Sequence, residues 1–118
     1  MKSKEYIKGT IKTIVLKLLS ENERMYGYEI SQRVKQLSNG DIELTYGALY
    51  PILYKLESEK LLTTASEVVD NRARKYYSLT PQGKKLAKVK VTELQDFVKT
   101  LTIILRPVSP GTNLTLGL

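Results

Sequence analysis

The chain has 118 residues and a formal net charge of +7, so it is long enough for one hydrophobic core and favours a polyanionic partner. It contains neither cysteine nor histidine, which excludes disulfides and thiolate metal sites and removes the commonest general base and zinc ligand. Because it also lacks a nucleophile triad, a glycine-rich phosphate loop, a signal peptide and a membrane-spanning run, we expect a cytoplasmic, non-enzymatic protein without metal or cofactor.

Two apolar stripes near the N-terminus predict two helices. The first helix follows Gly9-Thr10, with Thr10 as its cap and residues 3–8 as a separate arm or frayed extension. Its stripe comprises Ile7, Ile11, Ile14, Val15, Leu18 and Leu19. The second helix covers residues 27–37, and its stripe comprises Tyr26, Ile30, Val34 and Leu37. Residues 38–40, Ser-Asn-Gly, should end it, because Asn and Gly tolerate the left-handed conformation.

The next segment predicts a third, amphipathic helix. Ile42 and Leu44 alternate with polar residues, which suits a very short strand or an extended lead-in. The helix runs from Thr45, whose hydroxyl can cap its first turn, to about Glu59. One side requires a core and is formed by Leu49, Ile52, Leu53 and Leu56. The other side is small, aromatic or basic and contains Gly47, Pro51, Tyr54, Lys55 and Ser58. Two helices joined by a short turn are typical of a helix-turn-helix.

Residues 61–69 and 74–79 predict a two-stranded hairpin, because they are rich in Leu, Thr, Val and Tyr and flank an Asp70-Asn71 turn signal. On the return strand, Tyr77 and Leu79 share a face and should point to the core. The tip and the start of the return strand are basic, so the hairpin reads as a positively charged wing. Its polar residues are Asn71, Arg72, Arg74 and Lys75.

Thr80-Pro81 predicts the start of a long last helix, with a cap followed by proline at the first helical position. Apolar residues then recur in steps of four and three, the seam of a coiled coil, and Pro107 ends the pattern. The predicted fold is therefore mainly α with a small β-hairpin. We expect a winged helix-turn-helix over residues 1–79, a dimerisation helix over 80–106 and a flexible tail over 107–118.

Five motifs mark the chain from about residue 9 to residue 85. They are Gly9-Thr10, Met25-Tyr26-Gly27-Tyr28-Glu29-Ile30, Gly47-Ala48-Leu49-Tyr50-Pro51, Leu56-Glu57 and Arg74-Lys75-Tyr76-Tyr77-Ser78-Leu79-Thr80. At this spacing they resemble the PadR family of bacterial transcriptional regulators. The resemblance implies a dimer that binds an inverted-repeat operator in double-stranded DNA, usually as a repressor, sometimes released by a small ligand. The family often has glycine where Lys60 stands; since a left-handed lysine costs about 1 kcal/mol, we expect the third helix to end differently here.

The resemblance makes the third helix the recognition helix, and the wing supplies phosphate contacts. The predicted DNA-binding residues are Thr45, Tyr46, Gly47, Tyr50, Tyr54, Lys55, Arg72, Arg74 and Lys75. Seven of these residues have a structural alternative: the tyrosines could pack under the wing or at the helix edge, Lys55 could belong to a solvated face, and the wing cations could keep an edge strand soluble. Tyr26 and Tyr28 are assigned to packing at the start of the second helix.

The last helix carries the predicted dimer interface, which comprises Ala87, Val91, Leu94, Phe97, Val98, Leu101 and Leu105. The alternative is that this seam packs on the chain's own first helix. If the protein has a small apolar effector, it would bind between the two helices, in a pocket of Ile7, Ile11, Ile14, Leu94, Phe97 and Leu101. The alternative is that there is no effector and that the cellular level of the protein does the regulating. Since winged helices also bind proteins, an adaptor for an acidic protein partner is the alternative function, and a steep salt dependence would favour DNA.

Overall fold

The computed structural model describes residues 4–108, and the predicted tail lies outside them from residue 109 onwards. In chain order the elements are α1 (Lys4–Ile7), a 3-10 turn (Lys8–Thr10), α2 (Ile11–Glu21), β1 (Met25–Tyr26), α3 (Gly27–Leu37), α4 (Tyr46–Ser58), β2 (Leu62–Val69), β3 (Arg72–Leu79) and α5 (Pro81–Ile104). The predicted fold class is confirmed: α3 and α4 form a helix-turn-helix, β2 and β3 form the wing, and α5 is the long last helix.

The sheet has three antiparallel strands in the order β1-β3-β2. The very short β1 was not predicted. It pairs Met25 with Tyr77 and Tyr26 with Tyr76, so it joins the start of the helix-turn-helix to the base of the wing. The alternation around Ile42 and Leu44 is an extended lead-in and not a strand.

The core lies where α2, α3, α4 and the base of the wing meet. The stripe of α4 is covered as predicted, because Leu49, Leu53 and Leu56 are buried and Ile52 is partly buried. Tyr77 and Leu79 also face the core, which confirms the predicted face of the return strand. The other buried apolar residues are Ile11, Val15, Leu16, Leu18, Leu19, Met25, Ile30, Val34, Leu44, Leu61, Leu62 and Ala87.

The caps follow the sequence except at α2. Thr45 Oγ1 accepts a hydrogen bond from the Ala48 N–H at 3.2 Å, and Thr80 Oγ1 accepts one from Gly83 at 3.0 Å. The prediction for Thr10 was wrong. Its hydroxyl donates back to the Ile7 carbonyl at 2.7 Å, because a 3-10 turn already precedes α2 and places that carbonyl within reach.

Within residues 4–108, four residues other than glycine adopt positive φ, and three of them end α3 or close the hairpin. Asn39 (φ 53°) and Gly40 (φ 84°) end α3 as predicted. Asp70 (φ 52°) and Asn71 (φ 62°) form the two-residue hairpin turn, whose handedness matches the twist of the strands. The wing therefore has a defined register from Val69 opposite Arg72 to Leu62 opposite Leu79.

The fourth is Lys60, where the expectation of a different helix end was wrong. Lys60 has φ 62°, and its N–H donates to the Glu57 carbonyl at 2.9 Å. The next N–H, of Leu61, donates to the Leu56 carbonyl, also at 2.9 Å. These two bonds form a Schellman motif, so α4 ends as a helix with glycine at this position would end. Burial of Leu61 holds the lysine in the left-handed conformation.

The first half of α5 packs on α2 of the same chain, and Ala87 is 1% exposed. Gly83 lies against the Leu61 carbonyl, which a β-carbon would overlap, so α5 begins close to the end of α4. Beyond this half the helix leaves the domain. Its distal apolar side chains are largely exposed; they are Phe97, Val98, Ile103, Ile104 and Leu105.

Candidate nucleic-acid interface

The face of α4 opposite the core is exposed at its N-terminal end. Tyr46 is 50% exposed and Tyr54 is 67% exposed, although both are large aromatic side chains. Between them, Gly47 has open space around its missing β-carbon, with only the Thr45 hydroxyl at 4.0 Å. Because the apolar side of the helix is buried, this polar and aromatic side is free to approach another molecule. Lys55 is also exposed on it.

Tyr50 is placed differently from its neighbours. Its phenol ring lies against Gly27 at the start of α3, where a β-carbon would overlap it. Its ring also packs edge-on against Tyr46, with ring centres 5.6 Å apart. Tyr50 is therefore half-buried and locks α3 to α4, which fits the packing alternative. The indication of this contact in the sequence is that Gly27 and Tyr50 each belong to one of the five motifs.

The wing is tied to the end of α4 through Glu57. Its carboxylate accepts a hydrogen bond from Thr64 Oγ1 of β2 at 3.0 Å and from Lys75 Nζ of β3 at 3.3 Å. Desolvation lowers the pKa of Lys75, but the bond to Glu57 and the nearby Tyr77, Glu57 and Tyr54 together outweigh it, so the pKa is raised overall. Lys75 thus helps to hold the wing against α4, whereas the exposed Arg72 lies at the tip beside the turn.

The outer face of the sheet carries a row of arginines and tyrosines that the sequence analysis did not single out. Arg24 donates two hydrogen bonds to Glu67, at 2.7 and 3.0 Å, which lowers the pKa of Glu67 and raises that of Arg24. The same guanidinium lies 4.0 Å from the centre of the Tyr76 ring. The strand register places Tyr26 beside Tyr76, and the alternation of side chains along β2 places Glu67 on the same face. The sequence did not predict this row because it did not predict β1, which brings Tyr26 beside Tyr76.

Arg74 belongs to this row and not to the tip. Its guanidinium lies 4.6 Å from the centre of the Tyr26 ring, and Tyr26 packs edge-on against Tyr76 at 5.4 Å. Tyr28 stacks beside Tyr26 at 6.3 Å and is 51% exposed. The wing root therefore contains two cations and several phenols. Together with α4, this makes one continuous basic and aromatic surface.

An apolar groove of about 680 Å³ lies on the other side of the domain, between α2, α3 and α5. Ile14 and Leu94, from the predicted effector pocket, line it, as do Val91 and Val98 from the predicted dimer interface. The remaining members of those two sets lie elsewhere. Ile11 and Ala87 are buried in the core, Ile7 packs on the core, and Phe97, Leu101 and Leu105 lie on the distal half of α5. Ala87 is therefore not available to a second chain.

Residues 4–108 contain neither a metal cluster nor a membrane-spanning helix. No group of three or more acidic, histidine or cysteine side chains is arranged to hold a metal ion. No helix in that part of the chain has the length and hydropathy needed to span a bilayer.

Comparison with known proteins places this geometry in a family. The profile described as "Transcriptional regulator PadR-like family" matches residues 15–89. "Transcriptional regulator Rv3488" of Mycobacterium tuberculosis is 33% identical over 81 residues, which cover 69% of this chain and 72% of that protein. An uncharacterised protein of Lysinibacillus sphaericus is 35% identical over 81 residues, covering 68% of this chain and 73% of that protein.

Solved structures agree in fold. A transcriptional regulator from Clostridium thermocellum superimposes with a TM-score of 0.77 at 28% identity, covering 86% of this chain and 99% of that one. A PadR family transcription regulator from Clostridium difficile gives a TM-score of 0.69, also at 28% identity, over 83% of this chain and 100% of that one.

Proposed function

Because the chain belongs to the PadR-like family of transcriptional regulators, we propose that it binds an inverted-repeat operator in double-stranded DNA as a dimeric repressor. The observation that carries the proposal is the exposed face of α4 beside a basic wing. The second helix of a helix-turn-helix enters the major groove with its N-terminal residues at the base edges. Thr45, Tyr46 and Gly47 occupy that end of α4 and are exposed.

The roles of the exposed residues follow from their chemistry. Gly47 permits close approach to the bases because it presents no side chain. Tyr46 and Tyr54 offer phenol hydroxyls, and Lys55 and Arg72 offer charges, all of which suit phosphate oxygens. Since phosphate contacts position a protein while base contacts specify, α4 supplies sequence specificity and the wing supplies affinity that does not depend on sequence.

The dimer is proposed to form through the distal half of α5. A helix of 24 residues is about 36 Å long, whereas the 11 residues of α2 can flank only about 16 Å of it. The distal apolar stripe therefore extends beyond its own domain, and it includes Leu101, Ile104 and Leu105. The adjacent groove between α2, α3 and α5 is also apolar. A second copy related by a twofold axis would fill each groove with the other copy's α5.

Regulation by a small apolar effector is a further part of the proposal. Such a molecule would bind at the margin of the groove, near Ile14 and Leu94, where it would compete with or reposition the second copy of α5. An effector changes DNA binding only if it binds the two arrangements of the dimer unequally. The test is to screen apolar aromatic compounds for release of bound DNA, and a Leu94→Ala variant should lose the response.

The experiment that tests DNA recognition is selection of bound sequences from a pool of random duplexes by the full chain. We expect enrichment of a palindromic motif whose half-sites lie about one helical turn apart. The affinity for the selected duplex should fall as a power of the salt concentration, because counterions are released from the DNA. If no sequence is enriched while the protein still binds acidic proteins, the adaptor function is correct instead.

A further inference from the structure

A small cavity lies at the wing root, between the start of α3, the exposed face of α4 and strand β3. Its volume is about 250 Å³. Tyrosine side chains from α3 and α4 line it together with two of the three cations of β3. The lining includes Tyr28, Tyr54, Arg74 and Lys75. The sequence alone predicted only a packing role for Tyr28.

The polar groups around the cavity converge from three elements. Tyr54 projects from α4 with its ring centre 5.4 Å from Lys75 Nζ. Tyr28 stacks on Tyr26, and Tyr26 in turn lies under the Arg74 guanidinium at 4.6 Å. These contacts hold the phenol rings by their faces, so they leave the hydroxyls of Tyr28 and Tyr54 unused. Neither hydroxyl has a hydrogen-bond partner among the described side chains and backbone groups.

The backbone of β3 adds further donors. Along this side of β3, β1 pairs only with Tyr76 and Tyr77. Within residues 4–108, no strand pairs with the same edge from Arg72 to Lys75. An unpaired strand edge presents N–H groups that can donate to an acceptor. The cavity is thus bordered by neutral donors and two positive charges, of which Lys75 is partly balanced by Glu57.

Phenol hydroxyls, backbone N–H groups and arginine or lysine cations are the groups that contact phosphate oxygens in protein–DNA complexes. The position of the cavity also suits one phosphate in particular. If α4 occupies the major groove, the wing beside it lies across one sugar-phosphate strand, and that strand must pass between α4 and the wing. The cavity is at this crossing point.

We propose that the cavity holds a DNA backbone phosphate, which Tyr28 and Tyr54 contact through their hydroxyls. The proposal rests on DNA binding by α4, as argued above. In this proposal the wing contacts DNA phosphates at its root as well as at its tip. It also gives Tyr28 a functional role, since a packing role alone does not require the exposed hydroxyl.

The test removes only the hydroxyls. The full-length variants Tyr28→Phe and Tyr54→Phe keep the ring contacts, and Tyr6→Phe is the matched control because Tyr6 is an exposed tyrosine on α1, outside the cavity. Since a hydrogen bond to a charged group contributes about 1.5–3 kcal/mol, each cavity variant should bind a duplex roughly 10- to 150-fold more weakly. The loss should be equal on the selected duplex and on a random duplex. Tyr6→Phe should bind as the wild type does.

A second arm identifies the phosphate. The selected duplex is made with single neutral methylphosphonate substitutions along each strand, and binding of wild type and variants is compared. At one position per half-site, the substitution should cost each Phe variant less affinity than it costs the wild type, because the variant has already lost one contact to that phosphate. Additive losses at every position would overturn the proposal. So would a loss confined to the selected duplex, which would make the tyrosines base readers.

A third arm separates DNA phosphate from a free anion. Inorganic phosphate is titrated into the free protein at constant ionic strength and followed by NMR. Saturation at micromolar concentration, centred on Tyr28 and Tyr54, would assign the cavity to a free anion and overturn the proposal. If the wild type binds no duplex, the proposed function itself is wrong. If the wild type binds DNA and the Tyr28→Phe and Tyr54→Phe variants bind it equally well, only the proposed phosphate contact is disproved.

Discussion

Helices α4 and α5 begin by the same local rule but bury their apolar stripes in different ways. Each starts after a threonine whose hydroxyl accepts an N–H three residues later, Thr45 from Ala48 and Thr80 from Gly83. The stripe of α4 is covered along its whole length by its own domain. The stripe of α5 is covered only in its first half, and its distal part is exposed.

The difference shows that periodicity identifies an apolar face without identifying what covers it. In α4 the spacing of Leu49, Leu53 and Leu56 corresponds to burial in the same chain. In α5 the same kind of spacing runs from Ala87, which is buried, to Leu105, which is exposed. A change on α4 should therefore act on folding or on DNA, whereas a change on distal α5 should act on assembly. Four substitutions test this separation.

The largest effect is expected from Gly47→Glu on the exposed face of α4. A glutamate there would face the DNA with the wrong charge, and like-charge contact costs roughly 4 kcal/mol, or about a thousandfold in affinity. Folding should not suffer, because the site is open and glutamate is a better helix former than glycine near a helix N-terminus. DNA binding and thermal unfolding are measured together.

The control for that variant is Gly9→Glu, which adds the same charge at another glycine with open space around it, away from α4. It should lose only the small, sequence-independent part of affinity that any added negative charge removes. If both variants lose binding equally, α4 does not enter the groove as proposed.

The second effect concerns the covered stripe. Leu53 is completely buried, so Leu53→Ala should destabilise the domain by about 2–5 kcal/mol through lost transfer free energy and a residual cavity. Ile103→Ala is the matched control, because Ile103 is 62% exposed and should change stability by less than about 0.5 kcal/mol. Urea denaturation at low protein concentration gives both values. Equal losses would mean that distal α5 is covered within its own chain.

The winged helix was predictable because its local signals agree with one another. The caps at Thr45 and Thr80, the turn at Asp70-Asn71 and the stripe of α4 all act over a few residues. Strand β1 was not predictable in the same way. Two residues carry no periodicity, and Met25 becomes a strand residue only because Tyr77 lies beside it.

The candidate site likewise has one part that the sequence predicts and one part that it does not. The exposed face of α4 follows from helical spacing, so Gly47, Tyr54 and Lys55 are exposed as expected. The wing cations do not form one cluster, since Arg74 lies over Tyr26 and Lys75 bonds to Glu57. These contacts join residues far apart in sequence, and charge alone could not distinguish them. Whether any of these residues contacts DNA stays a prediction.

The third effect concerns the uncovered stripe. Ile104 is 69% exposed and lies on the seam side of α5, so Ile104→Asp should weaken the proposed dimer by about 2 kcal/mol per chain. Ile104 is a cleaner position than Leu94, which also lines the groove of its own chain. Ile103→Asp places the same charge on the next residue, off the seam. Sedimentation should show monomers for Ile104→Asp and dimers for Ile103→Asp; dimers for both would place the interface elsewhere.

The smallest effect is expected at the end of α4, where Lys60 holds a left-handed conformation with φ 62°. Glycine adopts this conformation without steric cost, so Lys60→Gly should stabilise the domain by about 1 kcal/mol, reduced somewhat by the greater freedom of glycine in the unfolded chain. Lys60→Ala is the control, because it removes the charge but keeps the β-carbon and should show no such gain. If alanine stabilises as much as glycine, the benefit comes from reduced charge repulsion in a chain of net charge +7, and the Schellman geometry is not what limits the stability of this helix end.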